Sequence, residues 1–463
     1  MKDLPGGLKE LSDIFAAAGY KLYLVGGYVR NNVLGLSGGD LDVCSCALPY
    51  DAALFLREAG LRVIEKAPEL GTIEAHLDIN GKNYVFEHTT FRRDFYPEGG
   101  NHRPYGVEFT KDIKQDASRR DFTVNALYID IASGETLDPT GKGLHDASLR
   151  LIRAAAEDPD ITIRDDGLRI MRMARFAAEL GFSVSPELME CARKRSYLLK
   201  DISAERKRDE LKKILMADVK NGIQGAPEKG LSILRQSGAL LHILPTLSEG
   251  DGVKQSEVYH KYDVLGHGIH SCAAAPAVLE LRLAALLHDI GKPAALRKGG
   301  NMYGHEVLGE ALAAEELERL KFENSIKCVV IPLVRWHMFD LEGRAKPKTI
   351  RKRAVKLGRE TFRMLTALRR ADFIGSGMEP RSVESADNWQ RELEAMDAQS
   401  VPWSVKELKI SGDDVMELLG ISPSPAVGAV LAMLHRECVA RPSSNNYESL
   451  KKLVIAHKSN LLL

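Results

Sequence analysis

The sequence changes period part-way along, and this limits the folds open to it. Up to about residue 150, short β-type runs (Lys21–Val25, Leu41–Cys44, Tyr84–Thr89, Val124–Asp130) alternate with glycine-rich turns, as in a mixed sheet-and-helix domain. From Arg164 onward apolar residues recur at helical spacing in charged amphipathic segments such as Ala204–Met216. Strands confined to the first third and helices after it predict an α+β fold: a mixed α/β head at the N-terminus, then a long all-α body. The 463 residues allow several domains of roughly 150 residues each. The expected divisions are a head at 1–150, a helical neck at 151–250, a second helical domain at 251–375 and a helical tail at 376–463. Breaks at Ser422–Pro425 and Arg441–Asn446 separate helices within that tail. A chain that is 44% apolar and 28% charged buries a sizeable core, which excludes a disordered or collagen-like protein.

Lysine plus arginine and aspartate plus glutamate number 64 each, so net charge does not decide for or against a nucleic-acid partner. Local patches have to decide instead. Nine basic residues and one acid, Glu360, lie between Arg344 and Arg363. A second set (Arg193, Lys194, Arg195, Lys200, Arg206, Lys207, Arg208) is diluted by Glu205, Asp209 and Glu210. Both suit contacts to RNA phosphates, and both equally suit a solvated helix face. Six cysteines without a Cys-x-x-Cys pair point to a reducing compartment and away from a zinc finger. The first residues lack the apolar core of a signal peptide, and no run reaches the ~18 apolar residues of a membrane span. The expectation is a cytoplasmic protein without a membrane partner.

Two constellations carry chemistry. In the first, Leu22–Val25 runs into Gly26-Gly27 and a helix-compatible stretch, where backbone N–H groups can approach a phosphate. Asp40 and Asp42 follow, two apart in a strand-like run, which places both carboxylates on one face. Two neighbouring acids repel unless a divalent cation neutralises them, and oxygen ligands suit Mg²⁺. Taken alone, a Gly-Gly step is a tight turn and an Asp-x-Asp is more often a solvated loop pair. In the second, His288-Asp289 closes an apolar helix, with His267 before it and Asp372 far beyond. Imidazole and carboxylate ligands suit a transition metal.

Longer segments surround the first constellation. Gly26-Gly27-x-x-Arg30, Leu34-Gly35 and Asp40-x-Asp42 are followed by Thr89–Asp94 (TTFRRD), Arg119–Leu127 (RRDFTVNAL) and Asp165–Phe176 (DDGLRIMRMARF). In this order they resemble class II tRNA nucleotidyltransferases and bacterial poly(A) polymerases, within the DNA polymerase β-type nucleotidyltransferase superfamily. Asn31 and Asp165 depart from the pattern, which usually has Asp and Glu there. The resemblance implies that Asp40 and Asp42 are catalytic and hold two Mg²⁺, that Gly27 and Arg30 meet the triphosphate, and that Arg120 meets the nucleotide. It gives Asp121 a bracing role and makes Glu87 the candidate for a third carboxylate. Residues 256–375 resemble the histidine–aspartate (HD) phosphohydrolase superfamily. His267, His288, Asp289 and Asp372 match its ligand positions, and the resemblance makes His305 and His337 candidate ligands for a second metal. Leu408–Leu463 resembles the C-terminal helical part of these enzymes, the tRNA-binding end.

Asp166 and Arg169 are three apart on a predicted helix and so share a face. Cytosine and adenine both present an exocyclic amine beside a ring-nitrogen acceptor, which a carboxylate and a guanidinium can read together. Uracil and guanine present the reverse pattern and would leave one side chain unpaired. Arg172 and Arg175 continue the stripe toward the phosphates. Outside any motif the same spacing reads first as a helix-face salt bridge. The expected activity is addition and repair of the 3′-terminal CCA of tRNA from CTP and ATP, without a nucleic-acid template. The alternatives are a poly(A) polymerase, a C-only or A-only enzyme, or a metal-dependent HD phosphohydrolase.

Overall fold

The structure, a computed structural model, describes residues 6–79, 81–97, 104–378 and 383–456. The end of the expected tail, 457–463, lies outside the described residues. The chain divides into two compact units, Met1–Pro245 and Thr246–Leu463.

The first unit opens with α1 (Leu8–Ala17), β1 (Tyr23–Val25), α2 (Gly27–Val33), β2 (Asp42–Ser45), α3 (Pro49–Glu58), β3 (Arg62–Ala67), β4 (Thr72–Ile79) and β5 (Lys82–Thr90). A hairpin of β6 (Arg92–Phe95) and β7 (Gly106–Phe109), helix α4 (Ile113–Ser118), and strands β8 (Tyr128–Asp130) and β9 (Thr136–Leu137) follow. Seven strands form one sheet in the order β3-β4-β5-β2-β1-β8-β9. β2 and β5 run parallel, and the other neighbours run antiparallel. Alternation along the strands sorts side chains to two faces. Leu24, Val43, Ile73 and Phe86 pack with Leu11, Phe15, Ala52 and Leu56 of α1 and α3. Val25 and Cys44 pack on Phe91, Ala117 and Tyr128. The strand expected over Val124–Asp130 is shorter, because Thr123–Asn125 is a 3₁₀ turn. Asp121 Oδ1 accepts from Phe122 N at 2.8 Å and from Asn125 Nδ2 at 3.0 Å, and such local bonds compete with a ladder.

The same unit continues through α5 (Gly143–Leu149), α6 (Pro159–Asp165), α7 (Leu168–Leu180), α8 (Pro186–Arg195) and α9 (Ala204–Leu215). Asp158, Ser185 and Ser203 cap the N-termini of α6, α8 and α9 with their side chains, each worth about 1 kcal/mol. Helix α7 packs against α9 and the helix Ala226–Gln236. It buries Ile170, Met171, Met173 and Ala174 completely, at about 1.5–3 kcal/mol for each large apolar side chain.

The second unit is helical. Val264–Ala274 packs against Leu279–Leu287 and Arg359–Gly375. Trp389, fully buried, stacks near Phe339 and Phe362, and its indole N–H donates to Asp340 Oδ2 at 3.0 Å. Helices Gly412–Leu419, Pro425–Ala440 and Tyr447–Ala456 share a core of Val415, Val430, Leu434, Leu450 and Val454. Within the basic run, Arg351 is a structural clamp, donating to the carbonyls of Val439 and Ala440 and to Glu392. Among the described residues, no helix is long and apolar enough to cross a membrane.

Candidate active site

Strand β1 delivers the chain to Gly26, which has φ 78° and ψ −136°. A Cβ here would lie 3.3 Å from Asp42 Oδ2, so glycine both permits the turn and leaves room for the acid. Asp42 opens β2, in register with Val25 on one side and Glu87 on the other. Burial, then the charges of Glu87 and Asp40, push its carboxyl above the usual range. A cation would relieve that repulsion. The expected one-face strand pair is corrected in detail: β2 begins at Asp42, and Asp40 sits exposed in the loop before it. The two acids nonetheless line one cavity of about 1050 Å³. The Glu87 side chain is 47% exposed and lies 3.4 Å from Lys66 Nζ.

Arginines fill the opposite wall. Arg30 is 3% exposed. It donates through Nη1 to Asn125 Oδ1 at 2.7 Å and lies over the Phe176 ring at 4.9 Å. Burial brings its pKa down to about 10. Arg172 grips Asp121 Oδ2 with Nε and Nη2 at 2.9 and 2.6 Å. Burial alone would raise the Asp121 carboxyl, but Arg172 and Asn125 outweigh it and hold it at about 2. Arg175 stacks on Phe176 at 4.0 Å and is committed to Glu210 at 2.7 Å and Glu179 at 3.2 Å. Arg120 donates to Tyr128 Oη and to Asp116, both at 3.0 Å. The stripe expected to point freely at phosphates is therefore braced by buried acids, because unpaired guanidinium groups could not be buried here.

Asp166 and Arg169 do not share a helix face. Asp166 lies in the break between α6 and α7, which starts at Leu168 after Gly167. Its Oδ1 accepts from Leu168 N at 2.9 Å, and Oδ2 is 3.4 Å from Arg206 Nη2. Arg169 donates through Nη1 to Thr162 O at 3.1 Å and through Nη2 to Arg119 O at 2.6 Å. No salt bridge joins the two. Both side chains are fixed separately, and both line the cavity that holds Asp40, Asp42, Gly27 and Arg30.

In the second unit six ligand-type side chains converge in two triads: His267, His288 and Asp372, then Asp289, His305 and His337. His267 Nε2 is 3.1 Å from His288 Nε2 and 3.0 Å from Asp372 Oδ1. His305 Nε2 is 3.0 Å from His337 Nε2. Asp289 spans the groups, with Oδ2 at 3.2 Å from His288 and Oδ1 at 3.1 Å from His305. His288, His305 and His337 each place Nδ1 on a backbone carbonyl at 2.7–2.8 Å. A carbonyl can only accept, so each Nδ1 carries a proton and each Nε2 faces inward, where its lone pair could serve a metal. The donor set fits metal ions.

Comparison with known proteins follows this division. The Poly A polymerase head domain family matches residues 22–153, the family described as a probable RNA and SrmB-binding site of polymerase A matches 181–250, and the HD domain family matches 263–358. A protein of Deinococcus radiodurans named A-adding tRNA nucleotidyltransferase is 31% identical over 431 residues, covering 89% of this chain and 90% of that one. The chain belongs to the tRNA nucleotidyltransferase family. A CCA-adding enzyme of Limosilactobacillus fermentum is 28% identical over 94% of this chain and 92% of its own length. A solved CCA-adding enzyme of Bacillus stearothermophilus, in complex with CTP, shares the fold with a TM-score of 0.67, covering 97% of this chain and 96% of that one at 24% identity. Members of the nucleotidyltransferase and HD families depend on metals, and among the described residues the two triads of the second unit are groups that could hold a metal ion.

Several residues in or behind the tRNA nucleotidyltransferase's cavity escape a reading by motif alone. Asn125, Phe176, Arg206 and Asp116 set the arginines and Asp166 in place. Asn125 and Phe176 lie inside quoted motifs. The available signal was charge accounting, since that many arginines beside apolar strands require buried acceptors and an aromatic surface.

Proposed function

We propose that this tRNA nucleotidyltransferase builds and repairs the whole 3′-terminal CCA from CTP and ATP. The observation carrying this reading is that one cavity gathers an acid pair, a set of braced arginines and a separately fixed carboxylate and guanidinium. Asp40 and Asp42 would hold Mg²⁺, which when bound activates the RNA 3′-hydroxyl and offsets the charge of departing pyrophosphate. Gly27, Arg30 and Arg172 bind the triphosphate, with Arg120 and Arg175 supporting the nucleotide pocket. Asp166 accepts from the exocyclic amine of cytosine or adenine and Arg169 donates to the adjacent ring nitrogen, so the protein acts as its own template. Residues 1–150 serve as catalytic head, 151–250 as neck for base and RNA recognition, 251–375 as the HD domain and 376–463 as a tRNA-binding tail, in a cytoplasmic enzyme.

One relative, 31% identical, is named an A-adding tRNA nucleotidyltransferase, so the extent of addition is the point to test. Purified protein incubated with tRNAs ending before the CCA, after C and after CC, with each labelled NTP singly and together, separates the possibilities. Full activity adds C, C and A and stops. Growth of the CC-ended tRNA alone would make it an A-adding enzyme, and long A tails would make it a poly(A) polymerase.

The second unit supports a separate site, in which His267, His288 and Asp372, and Asp289, His305 and His337, would hold transition-metal ions. His288→Ala combined with Asp289→Ala should strip metal from the purified protein, read by elemental analysis, and remove any hydrolysis of 2′,3′-cyclic or monoester phosphates. Addition of C and A should persist, because the head supplies its own ligands. Loss of addition in a well-folded double variant would contradict that separation.

A further inference from the structure

Asn31 follows Arg30 directly and is 2% exposed. Both ends of its amide are used. Oδ1 accepts from Arg30 Nε at 3.1 Å and Nη2 at 2.9 Å, while Nδ2 donates to the carbonyl of Gly38 at 2.7 Å. A guanidinium can only donate and a carbonyl can only accept, so these partners fix the amide's orientation. Gly38 and Gly39 form the last step of the loop before Asp40. Gly39 has φ 142°, and a Cβ there would fall 2.8 Å from the backbone N and Cα of Tyr28. The loop carrying Asp40 therefore lies in backbone contact with α2, and the Asn31 amide ties it to the helix that carries Arg30.

We propose that Asn31 is a positioning residue that sets the distance between Asp40 and Arg30, and so between the metal-binding acid and the triphosphate-binding cation. The inference rests on the reading of Asp40 as a metal ligand. Aspartate, the usual residue here in the proteins this chain resembles, would still hold Arg30. It would turn an oxygen toward the Gly38 carbonyl, so the tie to the loop would be lost. A neutral amide is the side chain that serves both partners.

The test compares the full-length wild type with Asn31→Asp, Asn31→Ala and Asp40→Ala. Three quantities are measured: the Mg²⁺ concentration giving half-maximal CTP addition, KM for CTP at saturating Mg²⁺, and amide hydrogen exchange across residues 34–41 in metal-free protein. In Asn31→Asp the half-saturating Mg²⁺ should rise roughly five- to tenfold, the equivalent of one neutral hydrogen bond. Its KM for CTP should stay within about twofold, because Arg30 keeps its acceptor. Exchange should quicken in 34–41 and stay unchanged in α1 and α3. Asn31→Ala should raise both the Mg²⁺ requirement and KM. Wild-type Mg²⁺ dependence and loop exchange in Asn31→Asp would overturn the proposal; should that variant not fold, the same result in Asn31→Ala would overturn it equally. An Asp40→Ala enzyme that keeps turning over would overturn the metal-ligand reading itself, whatever Asn31 does.

Discussion

Asp42→Ala and Asp40→Ala should each reduce nucleotide incorporation to below about a hundredth of the wild-type rate, since the loss falls on transition-state stabilisation by the bound cation. Neither change should harm the fold. Asp42 sits partly buried against Glu87 and Asp40, which push its carboxyl up, so removing one acid of the group relieves repulsion in the metal-free protein. The thermal melting midpoint of either variant should therefore match the wild type or lie slightly above it, and tRNA should still bind. Single-turnover incorporation of labelled CTP, paired with a melt and a tRNA-binding titration, checks all three points. A folded variant that keeps more than about a hundredth of wild-type turnover would remove that acid from the list of ligands.

The parts of the molecule that were legible in the sequence are those specified by short spacing. Gly26-Gly27 at the end of a strand, Asp40-x-Asp42 and His288-Asp289 each mark a candidate site within a few residues. What was not legible depends on pairing across the chain. Arg30 is held by Asn125, 95 positions on, and Arg172 by Asp121, 51 positions back. No periodicity encodes those partners. The helix predicted to carry both Asp166 and Arg169 is interrupted at Asp166, whose backbone is extended, and α7 starts afresh at Leu168 after Gly167. In the second unit the histidines stand out in the sequence as candidate ligands. The place of Asp289, in one triad with His305 and His337 and also 3.2 Å from His288 of the other, emerges only from the folded helices.

Asp166→Ala should change which nucleotide is used, in addition to slowing the reaction. Two effects combine. Loss of the Oδ1 bond to Leu168 N removes a local hydrogen bond at the start of α7, worth about 1 kcal/mol, which weakens every nucleotide alike. Loss of the acceptor for the exocyclic amine removes a charge-assisted bond worth roughly 1.5–3 kcal/mol from C and A only. UTP and GTP lose nothing by that second term, and the clash of their carbonyl with a carboxylate disappears. Preference for CTP over UTP should fall by about one to two orders of magnitude. Arg172→Ala serves as the comparison. Its guanidinium carries no base information, and its removal also strands the buried Asp121, so all four nucleotides should suffer together. The deciding measurement is kcat/KM for CTP, ATP, UTP and GTP on one truncated tRNA with wild type, Asp166→Ala and Arg172→Ala. The protein-template account predicts a collapsed CTP/UTP ratio in Asp166→Ala and an unchanged ratio in Arg172→Ala. A uniform slowing of Asp166→Ala, with its CTP/UTP ratio intact, would contradict it and leave Asp166 with only its local bond at the start of α7.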